Sequence, residues 1–244
     1  MQAVILAAGN GVRMQPLTYD IPKPMIRLAG KNLIEHKLDQ LPDGIDEVII
    51  VVGYLGGQII NHFGNEYKGR KITYVKQDKL LGTGRALWCA KDLIRGKFIS
   101  MMGDDIYCRE DLEKCAANDW AVLAKKVEGK TSGGRIKLKP DGHLDEIIEG
   151  VHRQKESLMN IGLFVMQPDI FNYELVKLPG KEEWGLPQTL VKAAQDFDVK
   201  IILATFWLQV TDIGDIKKVE KILKMTSRDN NFPRNYRRPG CRVA

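Results

Sequence analysis

Cysteine is scarce in this sequence: four residues, at 89, 108, 115 and 241, with no Cys-x-x-Cys and no histidine pair at ligand spacing. That pattern argues against a zinc site, makes a disulfide framework unnecessary and leaves four reduced thiols. The histidines, His36, His62, His143 and His152, are too dispersed to suggest a triad. No uncharged apolar run approaches the roughly 20 residues of a membrane helix. The first apolar stretch has no basic region before it, so neither a membrane partner nor a signal peptide is expected, and the protein is read as cytoplasmic. Gly129-Lys130-Thr131 has Ala124 where the first glycine of G-x-x-x-x-G-K-[ST] belongs, which excludes a P-loop.

An excess of one charge is also missing from most of the chain. The net charge is +6, and from Ser227 to Ala244 five arginines face one aspartate, which places four of those charges in the last stretch. The remainder is nearly balanced, so a nucleic-acid partner is not expected and the tail reads as a solvated terminus. What is present is ordinary for a globular enzyme: 244 residues, 44% hydrophobic and 28% charged.

The informative stretch is Leu6 to Met25, LAAGNGVRMQPLTYDIPKPM. An apolar run ends in a glycine-rich turn, whose bare backbone N–H groups can form an anion nest. Gly9-x-Gly11 begins a dinucleotide fingerprint, but Met14 stands where the third glycine belongs. Pro16, Pro22 and Pro24 shape the span between Arg13 and Lys23 into a loop.

Apolar runs and periodicity place strands at 3–6, 47–52, 71–76, 98–102 and 121–125, with helices at 32–41, 58–63, 84–94 and 110–117 between them. This alternation predicts an α/β, Rossmann-like, doubly wound, mostly parallel sheet with helices on both faces and ligands at the strands' carboxyl ends. Beyond residue 130 the rhythm changes. A hairpin is expected around Pro140-Asp141-Gly142, a strand at 160–166, helices at 168–175 and 187–197, strands at 200–204 and 207–210, and a last helix at 215–225. Without a repeat or linker, residues 1–226 read as a single domain with a nucleotide half (1–125) and a second half (126–226), followed by the basic tail 227–244.

Gly9, Gly11, Arg13, Pro16, Thr18, Lys23 and Pro24 fall on a pattern that resembles the signature of the sugar-phosphate nucleotidylyltransferases; Val12 departs from it, where the family usually has a hydroxyl residue. The resemblance implies the family's fold and a mixed, mostly parallel sheet. It also implies transfer of a nucleotidyl group from UTP or dTTP to a sugar 1-phosphate with Mg²⁺, and these substrates as partners. Leu6, Ala8, Gly9 and Gly11 would hold the nucleotide, and Arg13 and Lys23 would be catalytic. Gln77, Gly82 and Thr83, in QDKLLGTG, match the family's base-binding stretch, and a glutamine can both donate to and accept from a uracil or thymine edge. Asp104 would be the first metal-binding aspartate and Asp212 the second, while Asp105 points away or supports from behind. The spacing from Trp207 to Asp212 is longer than usual for the family.

On the sugar side the resemblance selects Gly134, Glu149, Asn160 and Gly162. The lysine that usually follows the glutamate is replaced by Gly150, and whether Lys155 takes its place from a nearby loop stays open. Other readings stay open: a related enzyme activating a non-sugar phosphate such as phosphocholine with CTP, a non-catalytic nucleotide sensor, and a nicotinamide-dependent oxidoreductase. Assembly as a homo-oligomer stays open too.

Overall fold

The computed structural model describes residues 1–228. Its centre is built from runs of consecutive apolar residues, which suit strands covered on both faces. These are β1 (Gln2–Ala7), β2 (Glu47–Val52), β3 (Arg70–Lys76) and β4 (Phe98–Met102), separated by α1 (Leu33–Leu38), α2 (Gly56–Phe63) and α3 (Gly82–Cys89). They pair in parallel in the order β3-β2-β1-β4. The chain thus works outward from β1 to β3 and then crosses back to the other side of β1. Such a reversal opens a crevice at the strands' carboxyl ends.

After β4 come β5 (Asp105–Tyr107), α4 (Arg109–Ala116), β6 (Ala121–Glu128), β7 (Thr131–Leu138), β8 (Leu144–His152) and β9 (Glu156–Met166). The mixed, doubly wound sheet of the sequence reading forms, but its second half is antiparallel. β9 runs against β4 and also pairs with β6 and with the β7–β8 hairpin. α5 (Leu186–Ala193), β10 (Lys200–Leu203), β11 (Trp207–Gln209) and α6 (Ile213–Arg228) complete the described chain. β10 returns parallel to β6. One ten-stranded sheet therefore runs through both halves.

The apolar stripes of α1, α2 and α4 (Ile34, Leu38, Ile59, Phe63, Leu112) bury one face of the sheet. Those of α3 and α5 (Ala86, Leu87, Leu186, Leu190) bury the other. A third cluster, Met14, Ile26, Leu28, Leu33, Ile106, Val210, Val219 and Leu223, ties the loop after β1 to α6.

Several expected elements differ. Residues 168–175 make only a 3-10 turn, Pro168–Asn172, because Val176–Lys177 is drawn into an antiparallel pair with Trp184–Gly185. The helix expected at 32–41 is Leu33–Leu38, started by a capping box between Asn32 and Glu35. The helix expected from residue 84 begins at Gly82 and ends at Cys89. α5 stops at Ala193, short of 197. β5 was not expected; it forms because β11 pairs with it, Gln209 opposite Asp105 and Trp207 opposite Tyr107. No helix among the described residues is long and apolar enough to cross a membrane. Beyond Arg228, at the end of α6, the basic tail lies outside the described residues.

Candidate active site

β1 and β4 pair in register, Leu6 beside Met102, so the loops that leave them start side by side. The first, residues 8–25, is no helix. It folds as three 3-10 turns, Val12–Met14, Leu17–Tyr19 and Lys23–Met25, as its prolines require. Gly11 closes it: its φ of +62° is left-handed, and a Cβ there would meet Thr18 Cγ2 at 2.9 Å and Lys23 Cβ at 3.0 Å. Thr18 Oγ1 donates to Gly11 O at 2.8 Å. Met14, in the place of a fingerprint's third glycine, is fully buried in the third cluster and anchors the loop.

The loop's far end returns to β4. Gly103 N donates to Leu6 O at 2.9 Å, and a Cβ on Gly103 would meet that oxygen at 2.8 Å and Pro24 Cγ at 3.2 Å. Pro24 thereby seats Lys23 beside Asp104, and Lys23 Nζ lies 2.6 Å from Asp104 Oδ2. Lys23 is buried, whereas 31% of the Asp104 side chain is exposed.

A cavity of about 460 Å³ opens over these loops. Leu6, Ala8, Gly9, Gly11, Arg13, Lys23, Gln77, Gly82, Thr83 and Asp104 all line it. It thus brings together every candidate of the nucleotide half. Gln77, buried at the end of β3, donates through Nε2 to Gly82 O at 3.2 Å. Thr83 Oγ1 accepts from Leu186 N at 3.0 Å, joining the start of α3 to α5. No histidine lines the cavity, and Cys89, Cys108 and Cys115 are free thiols outside it.

Gly82 and Gly84 have a structural reason beyond ligand approach. A Cβ on either would strike the backbone of Trp184, at 2.6 Å from its oxygen for Gly82 and 3.0 Å for Gly84. The segment carrying Trp184 is pinned to the base-side loop by Trp184 N donating to Leu81 O at 2.9 Å, and the Arg85 guanidinium lies over the indole at 4.7 Å. This delivers Glu183 to the cavity, a lining residue the sequence reading missed.

The four sugar-side candidates lie on strands rather than in loops. Gly134 on β7 is the register partner of Glu149 on β8. A Cβ on Gly134 would meet Glu149 Oε1 at 2.9 Å and Asn160 Nδ2 at 3.6 Å, so the three converge. Asn160 Oδ1 accepts from Gly162 N at 3.0 Å. Gly162, with φ of +74°, lies against Met102, which itself lines the cavity. Gln188 Nε2, also missed from sequence, donates to Glu149 Oε1 at 3.3 Å.

Asp212 is not among the lining residues, although its neighbour Thr211 is. Its Oδ1 accepts from Gly214 N at 2.8 Å and Asp215 N at 3.3 Å, capping α6, while Asp215 Oδ2 accepts from Thr211 N and Asp212 N. Oδ2 of Asp212 takes no part in the cap. Asp105 turns inward and is buried. Burial pushes its carboxyl above the usual carboxylate range, and the charge of Asp104 adds to this while Lys37 opposes it. Burial likewise pulls the Lys37 ammonium below the usual lysine value, against the attraction of Asp105 and Asp104.

No group of three or more His, Cys, Asp or Glu capable of holding a metal occurs among the described residues. Mg²⁺ does not need one, since it takes one or two carboxylates and completes its shell with water and substrate phosphates. Asp104 fits that requirement: its carboxylate opens on the cavity and already holds a cation, the Lys23 ammonium.

Residues 2–227 match the Nucleotidyl transferase family. The chain is 32% identical over 225 residues to the bifunctional protein GlmU of Methanocaldococcus jannaschii, covering 91% of this chain and 54% of that one. It spans about half the length of the GlmU relatives it matches. It is 35% identical over 199 residues to the UTP–glucose-1-phosphate uridylyltransferase AglF of Haloferax volcanii, covering 78% of this chain and 82% of that one. A Bacillus anthracis protein assigned as a glucose-1-phosphate thymidylyltransferase shares the fold with a TM-score of 0.81 at 21% identity, covering 97% of this chain and 98% of that one. With the family matched over nearly the whole described chain, the protein belongs to the nucleotidyl transferases.

Proposed function

We propose that the protein joins a sugar 1-phosphate to UTP or dTTP, giving a nucleotide sugar and pyrophosphate. The observation that carries this reading is the single cavity that gathers the Gly9–Gly11 turn, Arg13, Lys23, Gln77 and Asp104. Its likeness to a relative named as a UTP–glucose-1-phosphate uridylyltransferase points the same way.

In the proposed reaction a phosphate oxygen of the sugar phosphate attacks the α-phosphorus in line. A new P–O bond forms, the bond from the α-phosphorus to the bridging oxygen breaks, and pyrophosphate leaves with its electrons. A phosphate monoester is largely dianionic at pH 7, its second pKa being about 6, so no general base is needed. The work left to the protein is positioning and charge neutralisation. Arg13, exposed at the cavity, clamps the β- and γ-phosphates with its planar fork. Lys23 leaves Asp104 to lie between the two phosphates that must approach each other. The chemistry that Mg²⁺ would supply here is neutralisation of the substrate phosphates' charge. Asp104 would hold the ion, with Asp212 contributing through Oδ2. Gln77 retains its carbonyl and one N–H for a base, complementing the adjacent N–H and C=O of uracil or thymine. Glu149 and Asn160 hold the sugar hydroxyls, with Gln188 orienting Glu149.

The test is pyrophosphate release with Mg²⁺ across UTP, dTTP, CTP, ATP and GTP and a panel of sugar 1-phosphates, phosphocholine included. Release that requires UTP or dTTP, a sugar phosphate and an intact Asp104 is expected. Release with phosphocholine and CTP alone, or undiminished in Asp104→Ala, would contradict the assignment.

A further inference from the structure

α1 carries a lysine in its apolar stripe. Leu33, Ile34 and Leu38 are fully buried, and Lys37 is only 1% exposed among them. An ammonium can occupy such a place only if it is hydrogen-bonded and faced by opposite charge. Lys37 Nζ donates to Leu33 O at 3.2 Å within its own helix and to Gly103 O at 3.0 Å. The second acceptor belongs to the peptide that joins Gly103 to Asp104. Behind that peptide the buried Asp105 carboxyl receives the Tyr107 hydroxyl on Oδ2 at 3.3 Å, and the Trp207 indole also faces it.

Four ionisable groups therefore straddle one turn: Lys23 and Asp104 on the cavity side, Asp105 and Lys37 on the core side. The cavity-side pair has to separate for the chemistry proposed above. Once Lys23 turns to the phosphates, Asp104 loses its 2.6 Å partner and has Asp105 as its sequence neighbour. The cation that stays is Lys37, bonded to the backbone of the same turn.

We infer that Lys37 is a positioning residue of the transfer site. Its bond to Gly103 O fixes the peptide that carries Asp104, and its charge counters the adjacent carboxylates, so that Asp104 stays aimed at the cavity when Lys23 departs. This rests on the proposed role of Asp104 in holding Mg²⁺.

The test is calorimetric titration with UTP and with dTTP, each with and without Mg²⁺, which reads the gain in nucleotide affinity that Mg²⁺ brings. Wild type and Asp104→Asn bracket the range. Lys37→Met leaves the Asp105 carboxyl in the core without its facing cation, so Lys37→Met/Asp105→Asn, with no acid left there, is the deciding variant. It is expected to lose about 10- to 100-fold of the Mg²⁺-dependent gain, as supporting partners of metal ligands do, while metal-free affinity stays within about twofold of wild type. A double variant that keeps the full gain, loses affinity equally with and without Mg²⁺, or does not fold overturns the inference and makes Lys37 a core residue only. An Asp104→Asn protein that keeps the full gain overturns instead the metal role of Asp104.

Discussion

In the parallel half, most candidate residues lie in loops beyond the strand ends; in the antiparallel half, the sugar-side candidates lie on the strands themselves. Gly9, Gly11, Arg13, Lys23, Gln77 and Asp104 belong to the first kind, and Gly134, Glu149, Asn160 and Gly162 to the second. A loop announces itself by spacing, because each glycine and proline answers a local demand, as Gly11 does with its left-handed φ and its contact with Thr18. A strand residue acquires its neighbours from register. Nothing local to Gly134 foretells that Glu149 is its partner or that Asn160 reaches it from a third strand.

The largest effect expected from this contrast is at the loop that crosses the cavity. Lys23→Ala lowers kcat by about 10²-fold or more, the scale of removing one donor that stabilises transition-state charge. Its melting temperature stays close to wild type, because the Asp104 carboxylate it leaves behind is 31% exposed and can be hydrated. Wild-type turnover in this variant would remove Lys23 from the chemistry.

Gly162→Ala tests whether the two halves are separable at their seam. Its Cβ would lie 2.5 Å from Met102 Cγ, and the backbone there is left-handed. Overpacking and strain cost about 1–3 kcal/mol, and the KM values of both substrates rise because Met102 lines the cavity. A rise confined to the sugar phosphate would place Gly162 wholly in the second half.

Trp184→Ala blurs the comparison from the other side, since Trp184 belongs to the second half yet supports the base-side loop. Losing the Arg85–indole contact costs about 0.5–1 kcal/mol at an exposed site. The KM for the nucleotide then rises several-fold, with that for the sugar phosphate unchanged. No change in nucleotide KM would leave the Trp184 segment a mere cover for Gly82 and Gly84.

Much of the site was legible because Arg13, Lys23 and Asp104 follow buried strands that apolar runs mark clearly. What was not legible has a physical cause in each case. Met14 signalled only the absence of a dinucleotide fingerprint, and its part in anchoring the loop depends on residues as distant as Leu223. The breadth of the expected 168–175 helix failed because Val176 finds a strand partner in Gly185. Asp212 is expected from the sequence as a metal-binding aspartate, whereas one of its oxygens caps α6. Lys37 did leave a signal: a charge at i+4 from Leu33 and i+3 from Ile34, inside an apolar stripe, is a buried lysine awaiting partners.

The division of labour between the halves is tested most directly by varying both substrates against Gln77→Ala and Glu149→Gln. Gln77→Ala is predicted to raise the KM for UTP or dTTP and leave that for the sugar phosphate unchanged, and Glu149→Gln to do the reverse. If either variant shifts the other's substrate, or both shift the two equally, the nucleotide and the sugar are not read by separate halves of the sheet.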